Sequence, residues 1–258
     1  MKKILLISLL ISSCASNTDR LDDLFSGKGK VIDLTHSLSA SSPFWPSDDG
    51  IPFDYDTLAA QKSGRPSMGR YSVSEHFGTH LDAPIHFADN LKSVDELTAG
   101  DLFGKAVVVN VVAKCEANPD YLLSLEDLQT WEKKHGRIPD HAVVIMYSGW
   151  CLKWNDMKSY RNADASGKMH FPGFSEEAAQ WLVNERSIIG IGIDNMSVDA
   201  GARDGFPAHA IVNGAGKFHL ENLANVDQMP ESGAYLIVAP IKIEGGSGGQ
   251  VRVYAVGS

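Results

Sequence analysis

Between Ser74 and Phe87 the chain reads S-E-H-F-G-T-H-L-D-A-P-I-H-F, which gathers His76, His80, Asp82 and His86 into eleven residues. Gly78 and Pro84 argue against a continuous helix there, since one weakens it and the other removes a donor and clashes with the preceding turn. An extended segment suits the pattern better, because alternate side chains of a strand share a face and the four residues all occupy even positions. A straight strand is still not enough. At about 3.3 Å of rise per residue, His76 and His80 would stand roughly 13 Å apart, too far to share an ion bound at about 2 Å. His80 and Asp82, roughly 6.6 Å apart, can flank one ion. His76 joins them only if the chain folds back at Gly78-Thr79, where glycine permits a tight turn or bulge. The expectation is a bent extended segment that binds a divalent metal through His76, His80 and Asp82, with Pro84 stiffening the approach to His86.

These residues spell H-x-G-T-H-x-D-x-P-x-H, which resembles the signature of the metal-dependent cyclase family of hydrolases and matches it at every defined position. The likeness extends from about Val31, where Ile32 to His36 reads I-D-L-T-H, to the C-terminus. It implies an α/β fold of the swivelling β/β/α type, with a mixed central sheet and packed helices, and a homodimer or higher homo-oligomer. It also implies that His209 and Glu221, twelve residues apart, arrive from the far end of the chain to complete the metal set and take part in catalysis. Asp82 would then be able to bridge a second ion, so one or two ions fit the resemblance. Asp194 and Asp199 match a G-I-D-x-x-S-x-D segment of relatives, but Asn195-Met196 departs from it, and the two aspartates read as groups that cap or orient backbone at a strand end. His36, His135, His141, His170 and His219 read as solvated or structural.

Three histidines with carboxylates form a mixed nitrogen and oxygen donor set that suits zinc or manganese. A divalent ion with an open position lowers the pKa of a water from about 15.7 to about 7 and polarises a carbonyl oxygen. His86, last in the motif, is the candidate general base and acid. Such a centre would attack an amide or lactam carbonyl, and the family resemblance implies the substrate: a small molecule, either a cyclic amide of the isatin type that is opened or an arylformamide that is cleaved. The alternative is a non-catalytic, lipid-anchored protein that captures a ligand or metal on the same scaffold. Phe44-Trp45 lies in the Ser- and Pro-rich stretch from Ser37 to Pro52 and reads equally as a pocket wall for a flat substrate or as a plug on the core.

The N-terminus sets the expected address. Lys2 and Lys3, an apolar run from Ile4 to Ile11 and Ser12-Ser13 before Cys14 have the form of a lipoprotein signal peptide over residues 1–13, too short to span a bilayer. Lipidation of Cys14 and a tether over 14–27 would place the single hydrolase domain, 28–258, in a bacterial cell envelope. Ala15 in place of aspartate points to the outer membrane, facing the periplasm. Loss of Lys2 and Lys3 takes the formal charge from −9 to −11, and a chain so acidic, without a basic run, excludes nucleic acid as a partner. Cys115 and Cys151 then remain and read as free thiols.

Apolar and capping patterns predict the framework: strands over Val31–Thr35, Ala106–Ala113, Ala142–Tyr147 and Ile188–Ile193, and helices capped by Ser124 and Ser175. Ala234–Ile243 and Val251–Val256 read as a hairpin around a glycine-rich turn, Glu244 to Gly249.

Overall fold

The valine-rich runs make the centre of the fold. In the computed structural model, which describes residues 26–46, 53–59, 64 and 66–257, they become β5 (Phe103–Asn110) and β7 (Ala142–Tyr147), paired in parallel. Residues 1–13, Cys14 and all but the last two residues of the 14–27 tether lie outside the described residues, as does the 47–52 end of the aromatic loop. Alternate residues of β5 and β7 are buried on opposite faces: Ala106, Val108, Val143 and Ile145 enter one core cluster, and Val107, Val109, Val144 and Met146 another. A strand buried on both sides has no polar face to display, which is why these segments read as continuous apolar runs.

Around this pair one mixed sheet is built from β1 (Val31–Asp33), β4 (His80–Asp82), β9 (Gly190–Ile193), β10 (Phe218–Glu221), β11 (Tyr235–Pro240) and β12 (Gly248–Val256), in the order β1-β12-β11-β5-β7-β9-β10-β4. β4 also pairs with the start of β12, so seven of the eight strands close into a barrel and β1 continues along the same edge of β12. The first cluster fills the barrel, with residues from β1, β4, β5, β7, β10, β11 and β12. The second lies between its outer face and the helices α3 (Leu125–His135), α5 (Glu176–Glu185) and α6 (Pro207–Gly214). Three shorter helices complete the set among the described residues: α1 (Ala99–Leu102), α2 (Val112–Ala117) and α4 (Met157–Arg161). Two small sheets stand apart, an exposed hairpin of β2 (Asp54–Ala59) with β3 (Met68–Ser72) and a short pair, β6 (Leu122–Leu123) with β8 (Gly173–Phe174).

The mixed α/β architecture expected from the sequence is present, as are both capped helices. Ser124 forms a capping box with Asp127 and α3 ends at Gly136, while Ser175 accepts from the Ala178 amide to start α5. Several boundaries need correction: β1 ends at Asp33 and not Thr35, and β11 spans Tyr235–Pro240 and not Ala234–Ile243. The strand predicted to reach Ala113 stops at Asn110, whose side-chain oxygen takes the Val112 amide and starts α2 instead. The strand predicted from Ile188 begins only at Gly190. The glycine-rich turn is shorter than its composition suggests, because Gly248 and Gly249 already belong to β12 and pair with Asp82 and Leu81. Cys115 and Cys151 are free and buried. Among the described residues no helix is long and apolar enough to cross a membrane.

Candidate active site

The histidine-rich stretch folds back where the sequence requires it. Gly78 has φ +67°, a conformation open to glycine at no steric cost, and the reversal brings the His76 and His80 rings to 5.4 Å between centroids instead of the roughly 13 Å of a straight strand. Past the bend the chain enters β4, and Pro84 then opens a single 3-10 turn, Pro84–His86, that carries His86 up beside His76, with the rings stacked at 3.9 Å.

β4 lies between β10 and β12, and its register decides what faces what. His80 is opposite Glu221 and Asp82 opposite His219 on β10, while Gln250 and Gly248 oppose them on β12. Leu81 and Leu220 point into the barrel core, so the alternation of the strands turns His80, Asp82, His219 and Glu221 outward together. α6 crosses this outer face and lowers His209 onto it. The helix starts at Pro207, and the Asp199 carboxylate accepts from the amides of Ala208 at 2.8 Å and His209 at 3.1 Å, covering the donors that a helix start leaves open.

All of the sequence-predicted ligands therefore meet. His80 Nε2 is 3.2 Å from Asp82 Oδ1 and 3.3 Å from Glu221 Oε2, and His209 Nε2 is 3.4 Å from Asp82 Oδ2 and 3.2 Å from Glu221 Oε1. His76 Nδ1 is 2.6 Å from Asp82 Oδ1. Ligand atoms of His76, His80 and Asp82 lie within 4.8 Å of one another, and so do those of Asp82, His86 and His209.

What the far nitrogens do is decisive. His80 Nδ1–H donates to the Gly78 carbonyl at 2.9 Å, and His209 Nδ1–H donates to Asp199 at 2.7 Å. Ser247 gives its only hydroxyl proton to Glu75, so at 3.0 Å from His76 Nε2 it accepts the imidazole N–H. Each ring thus has its proton committed outward and turns a lone pair on the buried carboxylates of Asp82 and Glu221. Acceptors facing acceptors are stable only with extra protons or a cation between them. The electrostatics agree. Burial alone would lower the His80 pKa, but Asp82 and Glu221 hold it up to about 10, and His209 is likewise raised well above 6.5 against its burial by Asp199, Asp82 and Glu221. The donor set fits a divalent ion bound by nitrogen and oxygen.

His86 differs from its neighbours. It lines the cavity with its ring 6.0 Å from that of His209, and burial pushes its pKa down to about 4, so at neutral pH it is an uncharged imidazole. The cavity before these groups holds about 340 Å³ and is walled by Phe44, Trp45, Phe77, Phe87, Met196 and Phe206. Phe44 and Trp45 serve as wall and packing at once. Trp45 packs edge-on against Phe171 and tilted on Phe206, and Arg161 donates two hydrogen bonds to the Phe44 carbonyl, at 2.9 and 2.7 Å, with its guanidinium over the ring.

The family model described as "Putative cyclase" matches residues 32–200. The chain belongs to the cyclase family. Isatin hydrolase of Roseibium aggregatum is 32% identical to this cyclase over 250 residues, 90% of this chain and 94% of that protein. Kynurenine formamidase of Geobacillus thermodenitrificans is 29% identical over 224 residues, 86% of this chain and 94% of its own length. The solved isatin hydrolase A from Ralstonia solanacearum superposes with a TM-score of 0.86 at 36% identity, covering 96% of this chain and 99% of that one.

Two residues of this cyclase were set aside in the sequence and belong at the site. Asp199 does cap backbone, as expected, but the same carboxylate also orients the His209 ring. His219 is not solvated: it is fully buried and faces Asp82 with its Nδ1 3.6 Å from Oδ2. Period-2 alternation places His219 two residues before Glu221, a signal that becomes readable once Glu221 is taken as a ligand. Asp194 fits the plainer reading, accepting from the Ser148 amide and hydroxyl and the Cys151 amide.

Gly248 is a further element of the site. A Cβ there would lie 2.6 Å from His76 Cε1 and 2.7 Å from the Leu81 carbonyl oxygen, closer than real contacts allow. Gly248→Ala is therefore expected to displace His76 or part β12 from β4, lowering stability by about 1–3 kcal/mol and weakening metal binding. Thermal melting and metal titration of the variant check this, and wild-type values in both would refute it.

Proposed function

We propose that this cyclase-family protein is a metal-dependent amidohydrolase that opens a cyclic amide fused to an aromatic ring, with an arylformamide as the related open-chain substrate. The observation that carries the reading is the convergence of three imidazole lone pairs, from His76, His80 and His209, on the paired carboxylates Asp82 and Glu221. Zinc or manganese suits these donors, and when bound would acidify a water and polarise the scissile carbonyl.

The remaining work falls to the chain itself. Gly78, Ser247 and Asp199 fix the tautomers of the three imidazoles, so no ligand has to reorient. His86, uncharged beside His76, takes the proton of the attacking water and returns it to the departing nitrogen. Phe44, Trp45, Phe87 and Phe206 stack on a flat ring and keep bulk water away from the carbonyl. The names of the relatives support the same bond type, and the aromatic wall favours a flat aromatic substrate.

A closed barrel flanked by helices supports the swivelling β/β/α reading. The charged and apolar start before Cys14 supports a lipid-anchored enzyme on the outer membrane facing the periplasm, and the family supports a homodimer or larger assembly. Cys14→Ser, followed by fractionation, tests the address.

Chelation is expected to abolish hydrolysis of isatin, N-formylkynurenine or cyclic imides, and Mn2+ or Zn2+ to restore it, as read by absorbance in a substrate screen with metal analysis. Full turnover by metal-free protein would overturn the function, and tight binding of all these compounds without turnover would favour a binding protein.

A further inference from the structure

Among the described residues four buried side-chain polar atoms lack a hydrogen-bond partner, and two of them are the ring nitrogens of one residue, His219. A fully buried imidazole with neither nitrogen paired is costly, because both polar atoms have left water without compensation. A phenylalanine or leucine would fill the same space without that penalty.

His219 is held in one place by its surroundings. It sits on β10 directly opposite Asp82, on the same face as Glu221, and its ring stands edge-on to His209 with centroids 4.7 Å apart. Its Nδ1 is 3.6 Å from Asp82 Oδ2, a few tenths of an ångström beyond hydrogen-bond range. The two oxygens of Asp82 have different neighbours. Oδ1 faces His76 and His80, whereas Oδ2 faces His209 and His219. Of these four rings, His76, His80 and His209 have an N–H already committed to Ser247, Gly78 and Asp199. Once a cation takes the lone pairs of those three rings, His219 alone has an N–H left to give to the carboxylate.

We infer that His219 is a positioning residue for Asp82: its Nδ1–H secures Oδ2 and so sets the plane of the carboxylate that the metal ligands share. A small change in the imidazole torsion brings Nδ1 to the usual charge-assisted distance of about 2.7–2.9 Å. Outer groups that hold a ligating carboxylate act this way, and their loss costs about 10–100-fold in metal affinity. The inference rests on the metal reading of the site given above.

The test is calorimetric titration of Mn2+, and separately Zn2+, into chelator-stripped full-length protein, comparing wild type with His219→Phe and His219→Asn. Phenylalanine keeps the ring and removes the donor; asparagine sets its amide nitrogen where Nδ1 stands. His219→Phe is expected to bind metal about 10–100-fold more weakly, and His219→Asn to recover most of the loss. The stripped His219→Phe protein is expected to melt no lower than stripped wild type, since two unpaired buried polar atoms are gone. His219→Leu replaces it if the larger ring does not fold. Wild-type affinity in His219→Phe overturns the inference. So does an equal loss of affinity in both variants with a lower apo melting temperature, which is the mark of a merely structural residue. Wild type that takes up neither metal overturns the metal reading, and this inference with it.

Discussion

Asp82→Asn is expected to give a folded protein that contains almost no divalent metal and hydrolyses its substrate at about one-thousandth of the wild-type rate or less. The substitution keeps the shape of the side chain and removes its charge. Asp82 is fully buried and is the group to which both halves of the site turn, with His76 and His80 at one oxygen and His209 at the other. An amide in its place points N–H donors at imidazole lone pairs on at least one side, so the set no longer suits a cation. Losing the several kcal/mol of charge stabilisation that such a cation supplies amounts to about a thousandfold in rate, each tenfold being about 1.4 kcal/mol. Elemental analysis, circular dichroism and kcat/KM on one preparation decide it. A variant with full metal content and near-normal turnover would show that Asp82 is not the shared ligand.

His86→Ala should separate chemistry from binding. The residue lines the cavity, stacks on His76 and is uncharged at neutral pH, so a ring nitrogen is free to take a proton. Removing a positioned general base typically costs about 10²–10⁴-fold, and here the loss is expected in kcat while metal content stays close to wild type. Loss of both metal and turnover would make His86 a ligand, a role its place within 4.8 Å of Asp82 and His209 makes the relevant competitor.

The sequence disclosed one half of the site and hid the other for a geometric reason. His76, His80 and Asp82 are separated by so few residues that bond lengths and a glycine fix their relation, and the bend at Gly78 follows from the reach of the chain. His209 and Glu221 are legible only through family resemblance. Nothing in their local sequence shows that β10 lies beside β4 or that Asp199, ten residues before His209, starts the helix that carries it. His219 and Gly248 depend wholly on register between strands distant in the chain, and register is not written locally. The fold divides along the same line. β5 and β7 are long enough to show in hydropathy, whereas the hairpin of β2 and β3 is exposed along its length and offers no pattern of burial to read.

β4 is only three residues long, yet it is the seam that turns an open sheet into a barrel. Its partners on β10 and β12 follow it by roughly 140 and 170 residues, so its contacts carry a large loop-closure cost. The strand that bears His80 and Asp82 is therefore the one whose docking closes the barrel, and a cation held between His80 on one side of the seam and Glu221 on the other would act as its rivet. In such a design, capture of the ion would favour closure of the barrel, and the site would be complete only once β4 has both of its edges paired.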